Sequence, residues 1–109
     1  MSHKFQIFKG VDSQYYFHLK AVNGEIILQS EGYKVEYNCR AGVATVRANA
    51  PYSFRYKKLI SHGGEPYFTL HASNGEVIGT SQMYKSSAGR DNGIESVQTN
   101  APYAPIENN

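Results

Sequence analysis

Phe17-His18-Leu19-Lys20-Ala21-Val22-Asn23-Gly24-Glu25-Ile26-Ile27 returns 51 positions later as Phe68-Thr69-Leu70-His71-Ala72-Ser73-Asn74-Gly75-Glu76-Val77-Ile78. The same shift carries Ser30, Tyr33-Lys34, Gly42, Val46 and Asn49-Ala50-Pro51-Tyr52 onto Ser81, Tyr84-Lys85, Gly93, Val97 and Asn100-Ala101-Pro102-Tyr103. Self-similarity at a fixed period decides the architecture before any local reading does. Each copy is roughly fifty residues, a length at which a chain buries too little surface to stand alone, so the two copies are expected to complete one shared core. Residues 4–52 form the first repeat and 53–103 the second within a single domain. Residues 104–109 match nothing in the first copy and read as a flexible tail. Upstream of the quoted stretch, Phe5 aligns with Phe54, which predicts a first hairpin two residues longer in the second copy, with His62-Gly63-Gly64 in the added length.

Within a copy, Phe5 and Ile7 mark one strand, and the alternation from Tyr15 to Val22 marks a second. Asn23-Gly24 predicts a two-residue type I′ turn, whose central residues both need φ > 0. That turn sets Ala21 against Ile26, Lys20 against Ile27, Leu19 against Leu28 and His18 against Gln29. One face then holds Phe17, Leu19, Ala21, Ile26 and Leu28, and the other Tyr16, His18, Lys20, Ile27 and Gln29. The second copy repeats the division, with Phe68, Leu70, Ala72 and Val77 inward and Tyr67, Thr69, His71, Ile78 and Thr80 outward.

Tyr33–Asn49 and Tyr84–Asn100 change to helical spacing, with Cys39, Val43, Val46 and Ala50 on one face, matched by Arg90, Ile94, Val97 and Ala101. Ser86 is suited to cap the second helix, whereas Val35 stands at that place in the first. Gly42 and Gly93 lie at equivalent mid-helix positions, where glycine costs about 1 kcal/mol relative to alanine, so a neighbour must approach closely there. Asn49 and Asn100 stand where a left-handed C-cap is expected, two residues before a proline. Each copy is thus β-β-β-α. The predicted fold class is α+β: two tandem repeats forming one antiparallel sheet with two helices packed on one face, a monomeric pseudo-dimer.

Eleven Lys+Arg against nine Asp+Glu leave a formal charge of +2 in 109 residues, too little for an electrostatic footprint on nucleic acid or anionic lipid. No apolar run approaches the roughly 18 residues of a membrane span, and the opening residues lack a signal peptide's apolar stretch, so a cytoplasmic protein without membrane attachment is expected. The lone Cys39 fits a reducing compartment.

No motif points to catalysis. His3, His18, His62 and His71 have no HxH, HxxxH or HExxH spacing, so no metal or other cofactor is expected. Cys39 falls on the buried helix face, where it reads as a small core residue. Ser30-x-x-Tyr33-Lys34 and Ser81-x-x-Tyr84-Lys85 bring hydroxyl, phenol and amine together, but cooperation from one helix needs i, i+4 spacing, and no G-x-G-x-x-G follows a strand. These residues recur at equivalent positions and are explained by the fold the copies share. Glu25 and Glu76 follow turns, while Glu36, Asp91 and Glu95 lie on exposed helix faces, so no acid/base pair emerges.

Phe17 to Ile27, Ser30-Glu31-Gly32-Tyr33 and Asn92-Gly93-Ile94-Glu95-Ser96-Val97 resemble the YegP-like family of small uncharacterised bacterial proteins. The resemblance covers nearly the whole chain, with a divergent first helix at Asn38-Cys39-Arg40-Ala41-Gly42-Val43. It implies β3-α repeats joined in one sheet, a two-copy chain forming the unit that single-copy members build as dimers. It carries an occasional link to stress responses, but no activity and no catalytic residues.

The candidate binding surface is the outer sheet face, where Tyr16, His18, Lys20, Tyr67 and His71 interleave rings with positive or titratable groups. A non-enzymatic interaction with a protein partner is the leading expectation. Single-stranded nucleic acid, stacked on these rings, is the alternative. A further alternative is an enzyme with a site at the seam between repeats, where non-equivalent groups such as His18 and His71 would converge.

Overall fold

The computed structural model describes residues 3–108. Strands β1 (Lys4–Lys9), β2 (Tyr15–Lys20) and β3 (Ile26–Gln29) lead to helix α1 (Glu36–Asn49), and β4 (Tyr56–Ile60), β5 (Pro66–His71) and β6 (Val77–Thr80) lead to α2 (Ser87–Asn100). Strand β7 (Ile106–Asn108) follows. All seven strands form one sheet in the order β4-β5-β6-β3-β2-β1-β7, so the two repeats meet where β3 pairs antiparallel with β6 through Gln29 and Thr80. The α+β architecture and the tandem repeat are as predicted.

Residues 106–108 are not a free tail. They pair with Phe5, Gln6 and Ile7 of β1, in parallel, which makes the sheet mixed rather than wholly antiparallel. Phe5 N–H donates to Pro105 O at 2.8 Å, Ala104 is buried and Ile106 packs against the core. Tertiary capture of an open edge orders these residues, a force invisible to local patterning. Asn109, at the end of the predicted tail, lies outside the described residues.

The equivalence of the repeats also holds upstream of the quoted stretch. Phe5 lies opposite Leu19 and Tyr56 opposite Leu70, so Tyr56, not Phe54, is the counterpart of Phe5. The first hairpins therefore have equal loops, 10–14 and 61–65, and His62-Gly63-Gly64 is no insertion. Phe5 meets Phe17 edge-on at 5.8 Å, as Tyr56 meets Phe68 at 5.7 Å. Phe54 is 73% exposed, in a 3-10 turn over Ser53–Arg55. The hydroxyl explains the exchange of ring, because Tyr56 Oη donates to Ala50 O at 2.7 Å where Phe5 has nothing to satisfy.

The Asn-Gly turns differ from type I′. Gly24 N–H donates to Ala21 O, Ala21 N–H to Glu25 O, and only Gly24 has positive φ, +88°. This is a type I turn closed by a left-handed glycine, and the Asn23 side chain accepts from Glu25 N–H. The extra loop residue shifts the pairing, so Lys20 lies opposite Ile26 across a bulge. Ile27 and Leu28 consequently both face the core while Ile26 is exposed, reversing the predicted sides of Ile26 and Ile27. Val77 and Ile78 repeat the reversal.

Both helices cover the inner face, and each contacts strands of the other repeat, α1 reaching β5 and β6 and α2 reaching β3. Ser86 Oγ accepts from Gly89 N–H at 3.0 Å, while Val35 supplies no side-chain cap. No left-handed cap follows. Asn49 Nδ2 instead donates to Thr45 O, and Asn100 Nδ2 to Ser96 O, so each side chain folds back on its own helix and adds a second donor to the carbonyl four residues before it. A Cβ on Gly42 would lie 2.5 Å from Tyr33 Oη and 3.2 Å from Phe17, and one on Gly93 would lie 2.7 Å from Tyr84 Cζ and 3.3 Å from Phe68. The close neighbour required by these glycines is the tyrosine at the strand-to-helix corner. Ser30 and Ser81 hold that corner, each hydroxyl accepting from the N–H of Phe17 or Phe68 at 2.9 Å and donating to the next carbonyl.

At the seam the copies part company. Leu28 and Gly79 are equivalent positions, and a Cβ on Gly79 would lie 2.7 Å from Leu28 Cδ2. One large and one small residue fill a space that neither two leucines nor two glycines would fit. Gly93→Ala is expected to destabilise by roughly 1–3 kcal/mol through overpacking, read as a lower denaturant midpoint. Leu28→Ala should lose roughly 2–5 kcal/mol, and the double variant Leu28→Ala with Gly79→Ala should lose less than the sum, a coupling that unfolding of all three variants measures.

Candidate outer-face binding site

Alternation places Lys4, Gln6 and Phe8 of β1 on the same face as Tyr16, His18 and Lys20 of β2, and the ladder extends that face to both edges. Glu107, Gln6, His18, Gln29, Thr80, Thr69 and Lys57 are successive cross-strand neighbours, a polar row crossing all seven strands. No helix covers it. Tyr16, His18 and Lys20 stand together on β2, while Tyr67 and His71 stand on β5, with β3 and β6 between. Strand spacing puts the groups about 14 Å apart, so the five candidate residues form two clusters. His18 and His71 do not converge at the seam. The seam cavity, about 260 Å³, is lined by Gln29, Ser30, Glu31, Val77, Gly79 and Thr80, among which Glu31 is the only titratable side chain.

The first cluster is aromatic. Phe8 stacks on Tyr16 with ring centroids 5.8 Å apart and leans on His18 at 4.6 Å. Tyr16 Oη donates to Asp12 Oδ2 at 2.5 Å, which holds the Asp12 carboxyl below its usual range and raises the phenol. Burial, followed by the charge of Lys20, lowers His18 below the ordinary imidazole value, so the ring is neutral at neutral pH. Phe8 is the member the sequence reading missed. Its signal was an apolar residue at an outward position, one step beyond Ile7.

The second cluster is polar. His71 Nδ1 lies 3.0 Å from Gly75 O, which can only accept, so Nδ1 carries the proton, and Nε2 lies 2.8 Å from Thr69 Oγ1. Tyr67 sits opposite Leu59. Two larger cavities flank the face at equivalent places, each beside an Asn-Gly turn. One, about 440 Å³, includes Lys4, Asn23, Gly24, Pro105 and Glu107, and the other, about 380 Å³, includes Phe54, Arg55, Lys57, His71 and Gly75.

Other candidate groups have structural surroundings. Cys39 is fully buried, and desolvation pushes its thiol up to about 11. Burial also raises the phenols of Tyr33 and Tyr84 over the helix glycines. Among the described residues no three His, Cys, Asp or Glu side chains group as metal ligands would, and no helix is long and apolar enough to cross a membrane.

Comparison with known proteins matches residues 11–56 and 61–108 to two copies of a domain of unknown function, DUF1508. A UPF0339 protein of Bordetella pertussis is 48% identical, covering 93% of this chain and 91% of its own. YegP of Escherichia coli K12 is 42% identical over 96% of each chain. Solution NMR structures of the Shewanella oneidensis UPF0339 protein and of E. coli YegP superpose with TM-scores of 0.91 and 0.93, at 44% and 41% identity. They cover 99% and 100% of this chain and 92% and 94% of their own. Two DUF1508 copies, identity above 40% along nearly the full length and a shared fold establish that the chain belongs to the UPF0339 family, which includes YegP.

Proposed function

We propose that the chain is a non-enzymatic interaction protein that receives a protein partner on its outer sheet face, in the cytoplasm and as a monomer. The observation that carries this reading is the Phe8-Tyr16-His18 cluster: three rings in contact, on a face no helix covers, bordered by Lys4 and Lys20. Aromatic anchors with a polar rim are the usual composition of a protein interface core. Tyr67 and His71 add a second, more polar contact region one sheet-half away.

Single-stranded nucleic acid is the second reading, favoured by the same rings beside Lys4 and Lys20. A titration of the amide shifts with mixed short single-stranded RNA and DNA, at low and then high salt, separates the two. No shifts at Tyr16, His18, Lys20, Tyr67 and His71 are expected. Shifts at these residues that vanish with salt would replace the protein partner by nucleic acid. A photo-crosslinker at Phe8 should then give a discrete protein adduct in cells, whereas the same group at exposed Tyr37 of α1 should not. Equal labelling from both positions would refute the outer-face assignment.

His18 gives this face a pH dependence with a definite sign. Folding lowers its pKa from the ordinary 6.5, so the unfolded chain takes up the proton first. The associated stability is present above pH 6.5 and is lost as pH falls through the folded value. His3, lowered by burial, acts in the same direction. His18→Gln is therefore expected to flatten, without abolishing, the fall in denaturant midpoint between about pH 7 and pH 5.

A further inference from the structure

The two edges of the sheet are equivalent by the repeat but are finished differently. On one side β7 covers β1, with Glu107 paired to Lys4 at 2.8 Å. The corresponding stretch after the first repeat, residues 53–57, is spent on the connection into β4 itself. Ser53 O accepts from Tyr56 N–H, where Pro105 O accepts from Phe5 N–H, and the ladder stops there. Phe68, opposite Lys58, donates its N–H to Ser81 Oγ, so the main-chain groups of Lys58 and, two residues on, Ile60 point out from the sheet.

Both sides of this edge hold a recess. On the outer side Arg55, the counterpart of Lys4, stands with Lys57 and His71 in the cavity of about 380 Å³, and among the described residues no ion pair joins any of the three. Arg55 Nε is buried without a hydrogen-bond partner. On the helix side a recess of about 260 Å³ between β4 and α2 includes Tyr56, Ile94 and Gln98 beside Asp91 and Glu95, and Lys58 is paired there with Asp91 at 3.2 Å, so this side suits an apolar side chain and the acidic ones belong on the outer side. Gln98 is the counterpart of Arg47, which on the finished side donates to Ala104 O just ahead of β7.

We propose that β4 is a docking edge for an extended acidic peptide, which adds as a parallel strand with a carboxylate against Arg55 and Lys57, as β7 adds to β1 with Glu107 against Lys4. Strand addition supplies main-chain hydrogen bonds for affinity and alternate side chains for selectivity. A second copy of the chain is the wrong occupant. Two β4 edges brought together would gather Arg55 and Lys57 of both copies, and edge lysines of this kind are the usual device against self-pairing. The edge shares only His71 with the outer-face site and none of the Phe8-Tyr16-His18 cluster, so its failure would leave the reading carried by that cluster standing.

The test uses the full chain and two blocked peptides, Ala-Pro-Ile-Glu-Val-Glu and the same peptide with lysine for each glutamate. The acidic peptide should slow amide hydrogen exchange at Lys58 and Ile60 by at least about tenfold at saturation, and the basic one should not. Lys58→Pro removes an outward donor and should abolish binding. Arg55→Glu with Lys57→Glu leaves the backbone intact and should weaken binding by about tenfold or more, so the inference remains testable if the proline variant does not fold. Unchanged exchange at Lys58 and Ile60, equal binding of both peptides, or shifts confined to Tyr16 and His18 would overturn it. So would concentration-dependent dimerisation through β4.

Discussion

Tyr33 lying over Gly42, and Tyr84 over Gly93, is the contact on which the rest of the molecule depends. Each ring stands at the corner between the third strand of its repeat and the helix, and meets helix backbone where a methyl group would not fit. Phe17 or Phe68 touches the same glycine from the sheet, so strand, corner and helix are fixed against one another at a single point. Close packing makes such a point sensitive, because a methyl group added at either glycine would have to push the ring away from both helix and sheet. The serine three residues upstream holds the corner by taking the phenylalanine N–H, and the helix N-terminus follows from there. The second repeat builds the same unit again, and β7 is the addition that has no counterpart.

Much of the fold was legible because the repeat tests each local reading twice. The helices, the buried glycines, the Ser86 cap and the inward set of Phe17, Leu19, Phe68 and Leu70 were all visible in residue spacing. What was not visible had physical causes. Phe54 attracted the alignment by chemical identity, although Tyr56 holds the equivalent ladder position and needs only a carbonyl for its hydroxyl. Asn-Gly permits two turn geometries, and the longer one introduces a bulge that exchanges the sides of Ile26 and Ile27. Strand β7 is three residues stabilised by an edge elsewhere in the chain, and no window of local sequence contains that edge.

The surface was legible as a face but not as an arrangement. Alternation placed Tyr16, His18, Lys20, Tyr67 and His71 on one side, yet the distance between β2 and β5 depends on how the repeats join. Phe8 went unnoticed because it is apolar at a position expected to be polar, and it is the residue that draws Tyr16 and His18 into one cluster. An exception to the pattern carried more information than the pattern.

The pairing of Leu28 with Gly79 has a genetic consequence. Tandem duplications are exposed to exchange between their halves, which tends to make the copies identical. Here an exchange that copied either half over the other would place two leucines or two glycines at the junction, one overfilled and the other hollow. Divergence at that position therefore makes the two halves non-interchangeable at the seam, although the rest of each repeat follows one plan.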